Sequence, residues 1–111
     1  MNSKILSICI PSYNMEQYLD RSVSSLVASK ELNNIEIIIV NDGSKDRTLQ
    51  IAQAYKEKYS QSIIVIDKPN GHYGSTVNAA IKIATGKYFR ILDADDWFDT
   101  ISFDYFIHKL R

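Results

Sequence analysis

The chain has 111 residues, 45% of them apolar, so it can hold one domain, or part of one, with a real core. Thirteen basic residues balance thirteen acidic ones, and without a basic field nucleic-acid binding is excluded as the main task. A single cysteine, Cys9, rules out an intrachain disulfide; lying in an apolar run, it reads as a small buried hydrophobe in a reducing compartment such as the cytoplasm.

Residues 5–10 form the first apolar run, broken by Ser7 and closed by Pro11. It is a buried-strand candidate, too short for a signal-peptide core and far short of the roughly 20 residues a membrane span needs. No other run approaches that length, so the chain reads as soluble, with any membrane attachment left to sequence beyond Arg111. Met15, Tyr18, Leu19, Val23, Leu26 and Val27 then recur at helical spacing. Residues 35–40 are an almost unbroken β-branched run, the mark of a strand covered on both faces.

Asn41-Asp42-Gly43-Ser44 is a turn, and Ser44 or Asp46 can cap the next helix, whose apolar face is Ile51, Ala52, Tyr55 and Tyr59. Residues 63–66 are a third strand. Pro69-Asn70-Gly71 breaks the chain, and Gly74-Ser75 leads into a third helix with Val77, Ala80, Ile81 and Ala84 on one stripe and Gly86 as its C′ residue. Residues 88–92 are a fourth strand that runs into Asp93-Ala94-Asp95-Asp96. A last helix starts near Asp99 or Thr100, with Phe103, Phe106, Ile107 and Leu110 as its apolar side.

Strands alternating with helices predict an α/β fold, a parallel sheet flanked by helices. Ligands of such sheets bind beyond the carboxyl ends of the strands. Four segments should therefore line one edge: Pro11-Ser12-Tyr13-Asn14, Asn41-Asp42-Gly43-Ser44, residues 68–75 and Asp93-Ala94-Asp95-Asp96. The polar and glycine residues concentrate there.

The last segment carries the most chemistry. Three carboxylates in four residues repel one another unless a cation joins them. In an extended stretch Asp93 and Asp95 point to the same side and can share a metal. Oxygen ligands with no cysteine or histidine beside them favour Mg²⁺ or Mn²⁺, ions that fill their remaining positions with phosphate and water. The plain alternative is a solvated acidic loop capping the last helix.

The other segments each admit two readings. Asp42 suits a capped Asp-Gly turn or a bond to a base or ribose. A nicotinamide or flavin site is disfavoured, because Pro11-Ser12-Tyr13-Asn14 occupies the place of a G-x-G-x-x-G loop. Tyr13 can stack on a base or pack beneath the first helix, and Asn14 is a fair N-cap. His72 precedes a helix start, where phosphate is attracted, yet a surface histidine without a role is the commoner case. Trp97 and Phe98 read as anchors of the acidic loop, with sugar stacking by Trp97 the minor alternative. His108 is assigned no role.

Taken together, Ile8-Cys9-Ile10-Pro11-Ser12-Tyr13-Asn14, Ile39-Val40-Asn41-Asp42-Gly43-Ser44, Asn70-Gly71 with Asn78, Gly86-Lys87-Tyr88 and Leu92-Asp93-Ala94-Asp95-Asp96 resemble the successive signatures of family 2 glycosyltransferases. Order, spacing and strand context agree over almost the whole chain. The resemblance implies the GT-A fold, whose Rossmann-like nucleotide-binding half precedes an acceptor-binding half. It implies transfer of a sugar from a nucleoside diphosphate, most often UDP, to a hydroxyl of a carbohydrate or lipid-linked acceptor, with inversion.

By the same resemblance, Pro11, Ser12 and Tyr13 line the base pocket and Asp42 bonds the uracil or ribose. Asn14, Asn70, Gly71, Asn78 and Ala94 join the nucleotide site. Asp93 contacts the ribose and, with Asp95, the metal (Mn²⁺ or Mg²⁺), while Asp96 helps shape the site. Two departures matter. Many relatives carry an arginine just before the asparagine matched by Asn78, where this chain has Val77, leaving Lys68 or His72 as candidate diphosphate contacts. The catalytic base belongs to the acceptor half, past Arg111. Residues 1–111 are therefore expected to be the donor-binding part, inactive alone, open to membrane association in a longer protein, and prone to dimerise through exposed apolar surface. A nucleotidyltransferase is the first alternative, though it wants a glycine- and lysine-rich loop after the first strand; a non-catalytic binding module is the second.

Overall fold

The computed structural model describes residues 4–71 and 73–110. Strand β1 (Leu6–Ser12) leads to helix α1 (Leu19–Val27), and a short 3₁₀ turn at Leu32–Asn34 leads into β2 (Ile35–Asp42). Helix α2 (Thr48–Lys58), β3 (Ile63–Lys68), α3 (Tyr73–Ile83), β4 (Tyr88–Ile91) and α4 (Thr100–Leu110) follow. Among the described residues the strands form one parallel sheet in the order β3-β2-β1-β4. The chain steps outward from β1 to β3, then returns to the far side of β1 for β4. That reversal is the topological switch point, where α/β sheets open a crevice.

Alternation within the strands sorts the core into two layers. Leu6, Ile8, Ile10, Ile35, Ile37 and Ile39 face α1, α2 and α4, packing with Leu19, Val23, Leu26, Ala52, Phe103 and Ile107. Cys9, Ile38 and Val40 face the other way, under Ala80 of α3. All eight residues of β2 are buried, as its β-branched run predicts. The fourth strand departs from expectation: Tyr88, Phe89 and Arg90 are exposed, because β4 is the outer strand of the sheet.

Three further expectations are corrected. The third helix begins at Tyr73 rather than after Gly74-Ser75, and Ile81 on its supposed apolar stripe is 54% exposed; Thr76 and Ala80 make the buried contact instead. Gly86 has no left-handed backbone and so is not a C′ cap. It is small because a Cβ there would lie 2.5 Å from Ser7 N, where the α3–β4 connection crosses β1. Asn14 does not cap α1, which starts at Leu19 with Tyr18 in the cap position.

Candidate active site at the carboxyl edge

A cleft of about 460 Å³ opens at the carboxyl ends of the strands. All four segments singled out in the sequence contribute: Pro11 and Ser12 at the end of β1 with Tyr13 just after it, Asp42 at the end of β2, Asn70 and Gly71 after β3, and Asp93, Ala94 and Asp95 after β4. Asn14 and Asn78 are not among the lining residues; Asn78 is exposed on α3. His72 lies outside the described residues.

Asp42 is held before any ligand arrives. It is 6% exposed, and its Oδ1 accepts a hydrogen bond from Lys68 Nζ at 2.8 Å and another from the Gly71 N–H at 2.9 Å. Asn70 Nδ2 donates to the Asp42 carbonyl at 2.9 Å. Gly43 makes this contact possible: its φ is +71°, and a Cβ would fall 2.6 Å from Asn70 N. Lys68, a candidate diphosphate contact, is thus bonded to Asp42 and to the Pro69 carbonyl at 2.8 Å.

The acidic segment is a turn rather than an extended stretch. The Asp96 N–H donates to the Asp93 carbonyl at 2.9 Å, a reversal that an aspartate at its first position favours. Turning brings in a carboxylate that simple alternation leaves out. One oxygen each from Asp93, Asp95 and Asp96 lies within 4.8 Å of the others, and all three residues are exposed. Such hard oxygen donors, open to solvent on one side, fit a divalent ion that keeps positions for phosphate and water. Ala94 between them is buried, 1% exposed, and seats the turn on the core.

The loop is anchored chiefly through Phe98. Its ring packs on Phe103 at 4.8 Å, and its N–H donates to Ser25 Oγ at 3.2 Å. Trp97 is not an anchor in that sense: it stays 52% exposed, with the Arg21 guanidinium 3.7 Å over its ring. Tyr13 is 44% exposed at the cleft, so it does not pack beneath α1.

Three lining residues lie outside the site read from sequence: Met15, Tyr73 and Thr76. Once the helix is known to start at Tyr73, the last two fall three positions apart on one face, a signal hidden by placing the helix start too late. Thr76 Oγ1 donates to the Tyr73 carbonyl at 2.6 Å. Partial burial, together with the nearby Asp93 charge, pushes the Tyr73 phenol above its usual range.

A parallel α/β sheet with a crevice at its switch point, a buried aspartate after β2 and a carboxylate cluster after β4 defines a Rossmann-like unit with an acidic carboxyl edge. The family model described as glycosyl transferase family 2 matches residues 7–110, and the chain belongs to that family. It is 40% identical over 97 residues to an uncharacterized glycosyltransferase of Mycoplasma pneumoniae, covering 85% of this chain and 32% of that protein. It is 37% identical over 91 residues to the minor teichoic acid biosynthesis protein GgaB of Bacillus subtilis, covering 81% of this chain and 10% of GgaB. The chain thus spans a third or less of these two relatives. Among solved structures, S. aureus TarS 1-349 superposes with a TM-score of 0.84 at 29% identity, over 94% of this chain and 31% of that one; it has also been solved in complex with UDP-GlcNAc. The GT-A architecture implied by the sequence motifs is the one observed.

Proposed function

We propose that this chain forms the donor side of an inverting glycosyltransferase that takes a sugar from a UDP-sugar and delivers it to an acceptor hydroxyl. The observation that carries this reading is the convergence of buried Asp42 with Asp93 and Asp95 on one cleft, Asp96 offering a third carboxylate oxygen within 4.8 Å of theirs. The UDP-GlcNAc complex of TarS supports the choice of donor, and the teichoic acid role in the name of GgaB supports work on a cell-surface polymer.

In this reading the base lies against Pro11, Ser12 and Tyr13, where stacking on an aromatic ring is worth about 1–3 kcal/mol. Asp42, already fixed by Lys68 and Gly71, accepts a hydrogen bond from the uracil or ribose without paying to be ordered. Asp93 contacts the ribose, and its carboxylate with those of Asp95 and Asp96 holds Mn²⁺ or Mg²⁺. An ion held by these carboxylates would supply electrostatic stabilisation of the departing diphosphate, the kind of help that is usually the largest catalytic contribution. None of the chain's carboxylates is assigned as the acceptor's base.

Calorimetric titration with UDP, with and without Mn²⁺, tests the proposal. UDP should bind only when the metal is present, and Asp95→Ala should weaken binding at least about tenfold, as expected for loss of a charged ligand worth about 1.5–3 kcal/mol. Wild-type protein that ignores UDP in the presence of Mn²⁺ would sink the reading.

A further inference from the structure

Asn14 lies next to Tyr13 yet outside the cleft, and its geometry is unusual. Its φ of +53° is in the left-handed region that few residues except glycine and asparagine accept. Its side chain faces the β2–α2 connection rather than the cleft: Oδ1 accepts the Lys45 N–H at 2.8 Å, while its own N–H donates to Ser44 Oγ at 2.9 Å. The two residues that follow continue the contact. The Met15 N–H donates to Thr48 Oγ1 at 2.8 Å, and the Glu16 N–H donates to Asp46 Oδ2 at 3.2 Å. Four hydrogen bonds therefore clasp the segment after β1 to the segment after β2. The first segment carries Tyr13 and Met15 on the cleft wall, and the second starts from Asp42 on its floor.

We infer that Asn14 is a positioning residue for the nucleotide: its carboxamide oxygen sets the spacing between Tyr13 and Asp42 through the Lys45 amide, without touching the ligand. The inference rests on the UDP-binding role proposed above. It requires two properties of residue 14, an acceptor oxygen and tolerance of a positive φ, and not an amide donor.

Two variants of the full chain separate these properties. Asn14→Gly keeps the backbone conformation and removes the acceptor; Asn14→Asp keeps the acceptor and tolerates the conformation. Amide hydrogen exchange at Lys45 reads the clasp with no nucleotide present, and UDP titration with Mn²⁺ reads its consequence. Asn14→Gly should lose protection at Lys45 and bind UDP about fivefold more weakly, the scale of one hydrogen bond. Asn14→Asp should restore both. The inference is overturned if Asn14→Gly leaves Lys45 protected or binds UDP as wild type does. It is equally overturned if Asn14→Asp keeps Lys45 protected but loses UDP as Asn14→Gly does, since the amide would then be a direct ligand. If wild-type protein does not bind UDP, the functional proposal fails and the positioning role falls with it, while exchange at Lys45 still shows whether the clasp exists.

Discussion

Cys9 shows how completely the centre of the sheet excludes water. It is 0% exposed on β1, and burial pushes its thiol from the ordinary 9.0 up to about 11. Only the thiolate reacts readily, so a disulfide reagent at pH 8 should label Cys9 at the rate of global unfolding and stoichiometrically in denaturant. Rapid labelling of native protein would show that β1 opens. The linkage has a definite sign. The unfolded thiol ionises at the lower pH, so the stability associated with neutral Cys9 is full below pH 9 and is lost as pH rises toward 11. At this scale the sequence was informative about residue type and poor about reason. Cys9 was legible as buried because it sits among isoleucines. Gly86 was legible as a special position, but its cause is a close approach to Ser7 that local sequence does not encode.

Between elements, polar contacts buried at the end of the sheet opposite the cleft decide how β4 joins. Glu36 on β2 is 7% exposed, and Oε1 accepts from Ser7 Oγ at 2.8 Å and the Thr85 N–H at 2.9 Å. Oε2 accepts from Thr85 Oγ1 at 3.0 Å, and Ser7 Oγ in turn accepts the Gly86 N–H at 2.8 Å. One carboxylate thereby ties the α3–β4 connection to both central strands, and through β4 it sets where the Asp93–Asp96 turn emerges. Glu36→Ala would leave the Thr85 N–H without its acceptor, and hydrogen bonds to a charged group contribute about 1.5–3 kcal/mol each in such settings. The expected outcome is a loss of about 2–3 kcal/mol in denaturant unfolding. A change within about 0.5 kcal/mol, the range of an ordinary surface substitution, would mean the network is not structural. Element order and type were readable from apolar periodicity, but the strand ends were not: pairing with neighbours carries β1, β2 and β3 past their apolar runs to Ser12, Asp42 and Lys68, and β4 stops at Ile91. Glu36 itself was hidden in a run whose other members are apolar, since a buried carboxylate is identified only by partners 29 and 49 residues away. The acidic turn was hidden for a related reason: whether Asp93 and Asp95 share a side depends on local backbone, and the i to i+3 bond that draws in Asp96 replaces the extended alternation.

For the whole molecule, the sheet is covered unevenly. Its central strands lie between α3 on one face and α1, α2 and α4 on the other, whereas the β4 edge has Tyr88 42% exposed and Phe89 37% exposed. On α4, Phe103 and Ile107 face the core, while Ile101 is 81% and Tyr105 62% exposed on the remaining surface. An outer strand also presents unpaired backbone groups that can template association, and β4 lacks a proline to blunt it. Lys87 and Arg90 supply charge near this edge, but Arg90 is drawn 4.9 Å over the Phe98 ring rather than held out as a guard. The chain's zero formal net charge adds no long-range repulsion to keep copies apart. The 111-residue chain should therefore self-associate as its concentration is raised, seen as a rising weight-average mass in sedimentation equilibrium. Replacing Ile101 and Tyr105 together by lysine removes apolar area from α4 and adds charge, and should shift the association to higher concentration without loss of helix signal. If the mass stays monomeric throughout, or the double variant associates as strongly as the parent, the α4 surface is not the one that drives it.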